Sequence, residues 1–251
     1  MRRDLLSALM TAMGMVIADG EAAQFGEPVA LELESSVRSR YIWRGEMWTD
    51  DPVFWQTATL KWRGFSSWNF FNVDLTDIND ERWKITEYDY IFDYTFRFSR
   101  FSAAPGIYHF SSPAGFFEPS TKVTLELTAE STWNPGLWVS IDTKYSSGSY
   151  FIISAARRTG PLRCRAPLDV YGSVGISQPR YYRDYLGDRW AFTDALLGIS
   201  VPFDMGGGFT LSLLAEFTSL IDRSVREAQE ETGARKDSLT FGVKANIDTL
   251  H

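Results

Sequence analysis

Val29-Ala30-Leu31-Glu32-Leu33-Glu34-Ser35-Ser36-Val37-Arg38-Ser39-Arg40-Tyr41-Ile42-Trp43-Arg44-Gly45 is the stretch whose reading decides the fold. Taken at every second residue it separates into two chemistries. Val29, Leu31, Leu33, Ser35, Val37, Ser39, Tyr41 and Trp43 form one set. Ala30, Glu32, Glu34, Ser36, Arg38, Arg40, Ile42 and Arg44 form the other. A period of two sends the sets to opposite faces of a β-strand. One face is apolar and ends in two aromatics, whereas the other carries five charges. A strand this long, with one face so polar, suits a sheet between hydrocarbon and a water-filled interior, the arrangement of an outer-membrane β-barrel.

The same rhythm continues along the chain. Strands are predicted over residues 53–63, 68–77, 82–98 and 101–110, the last with Pro105 as a bend or weak edge. Further strands follow at 122–130, 137–145, 150–158, 168–177, 189–201, 209–221 and 238–249. With the first stretch this makes about twelve, an even number, as single-chain bacterial barrels require. Connection lengths mostly alternate between long and short, as expected for outer loops and periplasmic turns. Residues 146–148, short where a loop is expected, and 159–167, long where a turn is expected, break the alternation. The charged segment 222–237 reads as a solvated loop with a weak helical tendency over 225–231.

Composition agrees with this class. At 251 residues, one all-β barrel accounts for the whole chain. A net charge of −7 opposes phosphate binding, so nucleic acid is excluded as a partner. Aromatics make up 15% of residues, in keeping with the Trp and Tyr girdles that mark membrane borders. Tyr41 and Trp43 are expected at the outer border, and Trp62 and Trp133 at the periplasmic one. The apolar run 5–17 follows Arg2 and Arg3 and precedes the small residues Gly20, Ala22 and Ala23. It reads as a signal peptide over residues 1–23, leaving 24–251 for the barrel. The single cysteine, Cys164, permits no internal disulfide, so closure of the sheet must supply the stability instead. Flanking Arg163 and Arg165 could activate its thiol, but a plain turn residue is the simpler reading.

Around the first predicted turn the residues become specific. Ser39, Tyr41, Arg44 and Gly45, followed by Asp51, Pro52 and Gln56, form a pattern that resembles the opening signature of the TorF-type porins of Gram-negative bacteria. The family pattern is Ser-x-Tyr-x-x-Arg-Gly, a short polar stretch, then Asp-Pro and a Gln in the next strand. Glu46-Met47-Trp48 departs from the small polar run usual there, and the chain ends in Asp248-Thr249-Leu250-His251 rather than on an aromatic. The resemblance implies a barrel, an outer-membrane location and contact with the barrel-insertion machinery.

No catalytic constellation stands out. His109 and His251 are the only histidines, too few for a triad, a lipid-hydrolysing enzyme or a metal site. Gly206-Gly207-Gly208 does not open a helix after a buried strand, so it is no phosphate loop. Glu126 and Glu130 could suggest a glycosidase, but their spacing recurs as ordinary strand patterning. No enzyme activity, metal or cofactor is expected.

The polar strand faces carry the candidate functional residues. Arg38, Arg40 and Arg44 share one face; Glu87, Asp89, Asp93 and Arg97 share another; Glu126 sits on a third. Pointing inward, they either impose a transverse field on small polar solutes or plug the lumen with ion pairs. The fold expected is therefore a closed antiparallel transmembrane β-barrel of about twelve strands acting as a narrow channel. Its rivals are a secreted lectin-like β-sandwich binding carbohydrate and a plugged structural barrel without transport.

Overall fold

Strict alternation of apolar and polar residues gives twelve strands that close on themselves. The structure, a computed structural model, describes residues 29–143, 148–160, 166–178, 189–231 and 235–249. The predicted signal peptide and Cys164 lie outside the described residues. β1 (Ala30–Arg38) pairs on one side with β4 (Val53–Trp62) and on the other with β15 (Asp237–Asp248). From β4 the ladder runs through β5 (Phe65–Asp74), β6 (Ile85–Tyr94), β8 (Phe101–Ser111), β9 (Ser120–Ala129) and β10 (Gly136–Asp142). It continues through β11 (Ser149–Arg158), β12 (Asp169–Ser177), β13 (Ala191–Gly206) and β14 (Phe209–Leu220) back to β15. The short β7 (Phe96–Phe98) resumes the line of β6 after Thr95 and also pairs with β8, so the ring has twelve staves. Every neighbouring pair is antiparallel. The lectin-like sandwich fails on this closure, because a sandwich keeps two sheets with open edges.

Burial is inverted relative to a soluble protein. Leu197, Phe241, Ile153, Leu213 and Val123 are more than half exposed, whereas Asn72, Asp74, Ser140 and Ser177 are fully buried. The register explains it: Val123, Leu125 and Leu127 stand beside Ile141, Val139 and Leu137 on the outer face. Their neighbours Lys122, Thr124 and Glu126 point to the lumen beside Asp142, Ser140 and Trp138. An apolar belt around a ring in which each strand pairs on both sides is the solution a bilayer imposes on strands. No described helix is long and apolar enough to cross a membrane.

Gln56 is an exception on the outer face. Its amide accepts from Ser35 Oγ at 2.5 Å and donates to the Glu34 and Thr57 carbonyls at 3.0 and 2.9 Å. The polar group thus meets its hydrogen bonds within the wall. His109 also faces outward, stacked on Tyr90 at 4.9 Å, with Nδ1 2.9 Å from Thr121 Oγ1.

Short turns at 63–64, 99–100 and 207–208 gather at one end, with the longer 130–135. The opposite end carries 39–52, 75–84, 112–119 and, among the described residues that follow β14, 221–231. The last of these contains α1 (Arg223–Glu231), where a loop was expected. Asp222 caps it, accepting from the Ser224 and Val225 amides at 2.9 and 3.3 Å. Arg189 also donates to Asp222 at 2.6 Å. Val225 is fully buried with Leu220 and Ala191.

The first predicted strand is shorter than its alternation implied. Its last bonds to β15 lie at Ser39, whose amide donates to the Phe241 carbonyl at 2.8 Å and whose side-chain Oγ accepts from the Phe241 amide at 3.1 Å. There the chain leaves the wall. It forms a separate hairpin of β2 (Tyr41–Trp43) and β3 (Glu46–Thr49) that turns into the barrel. Tyr41, expected in an outer aromatic girdle, is instead buried inside, because alternation continues in the hairpin although the hydrogen-bonded partner has changed.

Candidate functional site: a lumen crossed by a hairpin

The hairpin turn is two residues long. Arg44 and Gly45 have φ of 51° and 81°, the pair of left-handed conformations that a type I′ turn requires. A Cβ on Gly45 would lie 2.6 Å from Leu220 Cδ2 and 2.9 Å from Asp194 Cβ, so the turn tip is pressed against β13 and β14. From there the hairpin reaches around the ring. The Arg44 guanidinium lies 3.8 Å from the Tyr150 ring centroid and 5.2 Å from that of Trp138. Lys122 Nζ approaches the Trp43 ring at 5.3 Å. Tyr41 packs edge-on against Trp55 at 5.2 Å and donates its hydroxyl proton to Glu87. Trp48 meets Phe117 of the 112–119 loop at 5.1 Å. The hairpin therefore spans the bore and touches walls contributed by β4, β6, β9, β10, β11, β13 and β14.

Buried polar groups fix it in place. Asp89 accepts from Tyr108 Oη at 2.6 Å, beside Glu87 on the same strand face. Asp194 accepts from Tyr150 Oη at 2.5 Å and from Thr193 at 2.9 Å, and Arg44 is the cation that acts on it. Arg40 and Arg235 reach Asp50 at 3.4 and 3.1 Å, at the root of the hairpin. Burial pushes the Tyr41 hydroxyl well above its ordinary range, reinforced by the Glu87 carboxylate it faces, so Tyr41 stays a proton donor.

Beneath the hairpin the lumen is hollow. A cavity of about 310 Å³ runs between the hairpin and the facing walls, lined by Trp43, Arg44, Tyr108, Tyr150 and Thr218. Trp68, Ile91 and Trp138 line both this space and a second one of about 390 Å³ toward the turn end, so the two adjoin. Two further spaces of about 480 and 250 Å³ share Arg158, Asp169, Ser200 and Lys244.

The sequence-predicted residues fall at several depths. Arg38 is bound to Glu216 at 2.6 Å and covers the Trp55 ring at 3.9 Å. Arg40 belongs to the hairpin root and Arg44 to its tip. Glu87 and Asp89 hold Tyr41 and Tyr108. Asp93 and Glu126 line the 390 Å³ space. Arg97 pairs opposite Ser102 and is exposed at the turn end. The basic trio thus does not form one strip: the hairpin separates its members and stands between them and the acidic strand. Among the motif residues, Ser39, Tyr41, Arg44 and Gly45 make and seat the hairpin. Asp51 accepts from Thr76 Oγ1 at 2.7 Å and the Pro52 carbonyl from the Leu75 amide at 3.1 Å, which close its root.

Sequence reasoning missed Trp55, Trp68, Trp138, Tyr150 and Asp194 as lumen residues. The signal was present: each of the three tryptophans sits on the polar phase of its strand, out of step with the lipid-facing set.

No family model matches the chain, and no curated protein sequence does. Solved structures do resemble it. The NanC porin is 11% identical, with 86% of this chain covering 98% of that one at a TM-score of 0.55. The KdgM porin is 9% identical, covering 87% and 98% at 0.51. KdgM in complex with disordered oligogalacturonate gives 8% identity over the same shares at 0.51. The chain thus has the fold of an outer-membrane porin, a closed twelve-stranded antiparallel barrel. At these identities the likeness is one of fold alone.

Proposed function

We propose that this protein is a narrow porin-like channel for small polar solutes in the bacterial outer membrane, with hairpin β2–β3 as its constriction. The observation that carries the reading is the hairpin crossing a closed barrel above two adjoining cavities, the farther of them lined by charged residues. Charges and dipoles at such a narrowing set which solutes pass. The loop end faces the outside and the short turns face the periplasm, as in bacterial barrels generally. Residues 1–23 serve as the export signal, and the barrel-insertion machinery receives the chain. The Ser39-to-Gln56 pattern supports a relation to the TorF-type porins: Ser39 to Pro52 of that pattern form and root the hairpin, while Gln56 lies on the outer face of β4.

Planar-bilayer recording tests this. The wild type should give small, steady currents, and removal of residues 41–49 should enlarge them. Silence from both proteins, each shown to be folded by heat-modifiability, would leave a structural barrel.

A further inference from the structure

The 390 Å³ space between the hairpin and the turn end has an uneven charge. Glu32, Glu34, Asp93 and Glu126 line it, with Lys61 as the only cation in its wall among the described residues. Lys61 is held by Glu32 at 2.6 Å, and Glu34 is held by Lys244 at 3.1 Å. Asp93 and Glu126 form no ion pair within 4 Å among the described residues. Lys61 acts on Asp93 from farther away, and Ser66 gives Asp93 a hydrogen bond.

The wall between these two carboxylates is shaped as a trough. Asp93 lies on β6 and Glu126 on β9, and they repel one another. The intervening strand, β8, presents only Gly106, opposite Asp93, and Ala104, opposite Glu126. A Cβ at Gly106 would meet the Phe92 carbonyl oxygen at 2.8 Å and both Asp93 and Thr124 at 3.0 Å, so the floor is tightly built there. Trp68 flanks the trough from β5 and Trp138 from β10, next to Glu126. Carboxylates flanked by tryptophans suit an ammonium group, which charges and aromatic rings both attract.

We propose that this trough selects small organic cations bearing an ammonium group, and that Asp93 and Glu126 are the residues that set the charge preference of the pore. The proposal rests on the channel reading and gives it a solute class. That class is opposite in charge to the oligogalacturonate in the KdgM complex.

The test is the reversal potential of the full-length protein in planar bilayers under a KCl gradient, then with choline replacing potassium. The wild type should prefer cations, and choline should carry current. In the Asp93→Asn/Glu126→Gln double variant, the cation-to-anion ratio should fall by roughly threefold per carboxylate, the weight of one charge several ångströms away through water. Heat-modifiability of each variant establishes folding. Should the double variant fail to fold, each single variant should lower the ratio by its own share. An anion-preferring wild type, or a ratio unmoved by the substitutions, would overturn the proposal and leave the channel standing. Absence of current from both the wild type and the protein lacking residues 41–49 would instead overturn the channel and the proposal with it.

Discussion

Replacing Gly45 by Ala should unseat the hairpin and widen the pore, and the size of the effect follows from two separable costs. The first is conformational: at φ 81° a side chain enters the left-handed region, at about 1–2 kcal/mol. The second is steric. The new methyl would stand 2.6 Å from Leu220 Cδ2, about 1 Å inside ordinary contact, and 2.9 Å from Asp194 Cβ. Neither neighbour can yield easily, since Leu220 is fully buried under α1 and Asp194 is tied to Tyr150 and Thr193. Overpacking of this kind costs about 1–3 kcal/mol. Together the costs shift the seated-to-unseated ratio by about 2–5 kcal/mol, at least roughly thirtyfold. Gly115 supplies the control: its φ is 80°, but nothing lies within 4 Å of its would-be Cβ. Gly115→Ala meets the first cost without the second, and it lies outside the hairpin. Single-channel recording should show larger or noisier currents for Gly45→Ala and wild-type currents for Gly115→Ala. Equal behaviour of the two folded variants would refute the reasoning, because it would mean that contact at the turn tip does not hold the hairpin.

Leu125→Arg on the outer face should destabilise the barrel by ~2–4 kcal/mol, whereas Thr57→Arg, which lines the acidic cavity, should cost less. Urea unfolding in liposomes that returned equal costs would contradict the facing assignment. Brominated-lipid quenching of single-tryptophan proteins should find Trp62 and Trp133 at a bilayer border and leave Trp43, inside the lumen, unquenched. Arg38→Met should cost about 3–5 kcal/mol by stranding Glu216 beside Tyr171, and Glu216→Gln in the same protein should restore part of it. Full additivity of those two changes in denaturant titrations would show that the pair is not coupled.

The barrel was legible because lipid and lumen demand opposite chemistry at adjacent positions. Val123 to Glu130 and Leu239 to Asn246 carry that demand in nearly every residue, so strand number and facing followed from parity alone. The hairpin was not legible by the same means. Parity runs unbroken from Val37 through Trp43, although the hydrogen-bonding partner changes from the Phe241 strand to the chain's own β3. Only Arg44-Gly45, a two-residue turn between aromatic and polar flanks, marked the reversal. Lumen tryptophans were passed over because an aromatic in a membrane barrel suggests a border first. Trp68 and Trp138 show that phase along the strand is the better guide.

Leu220 joins two segments that are distant in the chain. On one side it supports Val225 of α1, and on the other it receives the turn at Gly45. Three residues separated by up to 180 positions in the chain therefore share one small volume, and none can change size without the others giving way. In descendants of this sequence a bulkier side chain at 225 should accompany a smaller one at 220, while position 45 stays glycine wherever 220 stays large. Loops are the most freely varied part of most barrels, but the one that bears α1 is here bound to the ancestry of the β2–β3 hairpin.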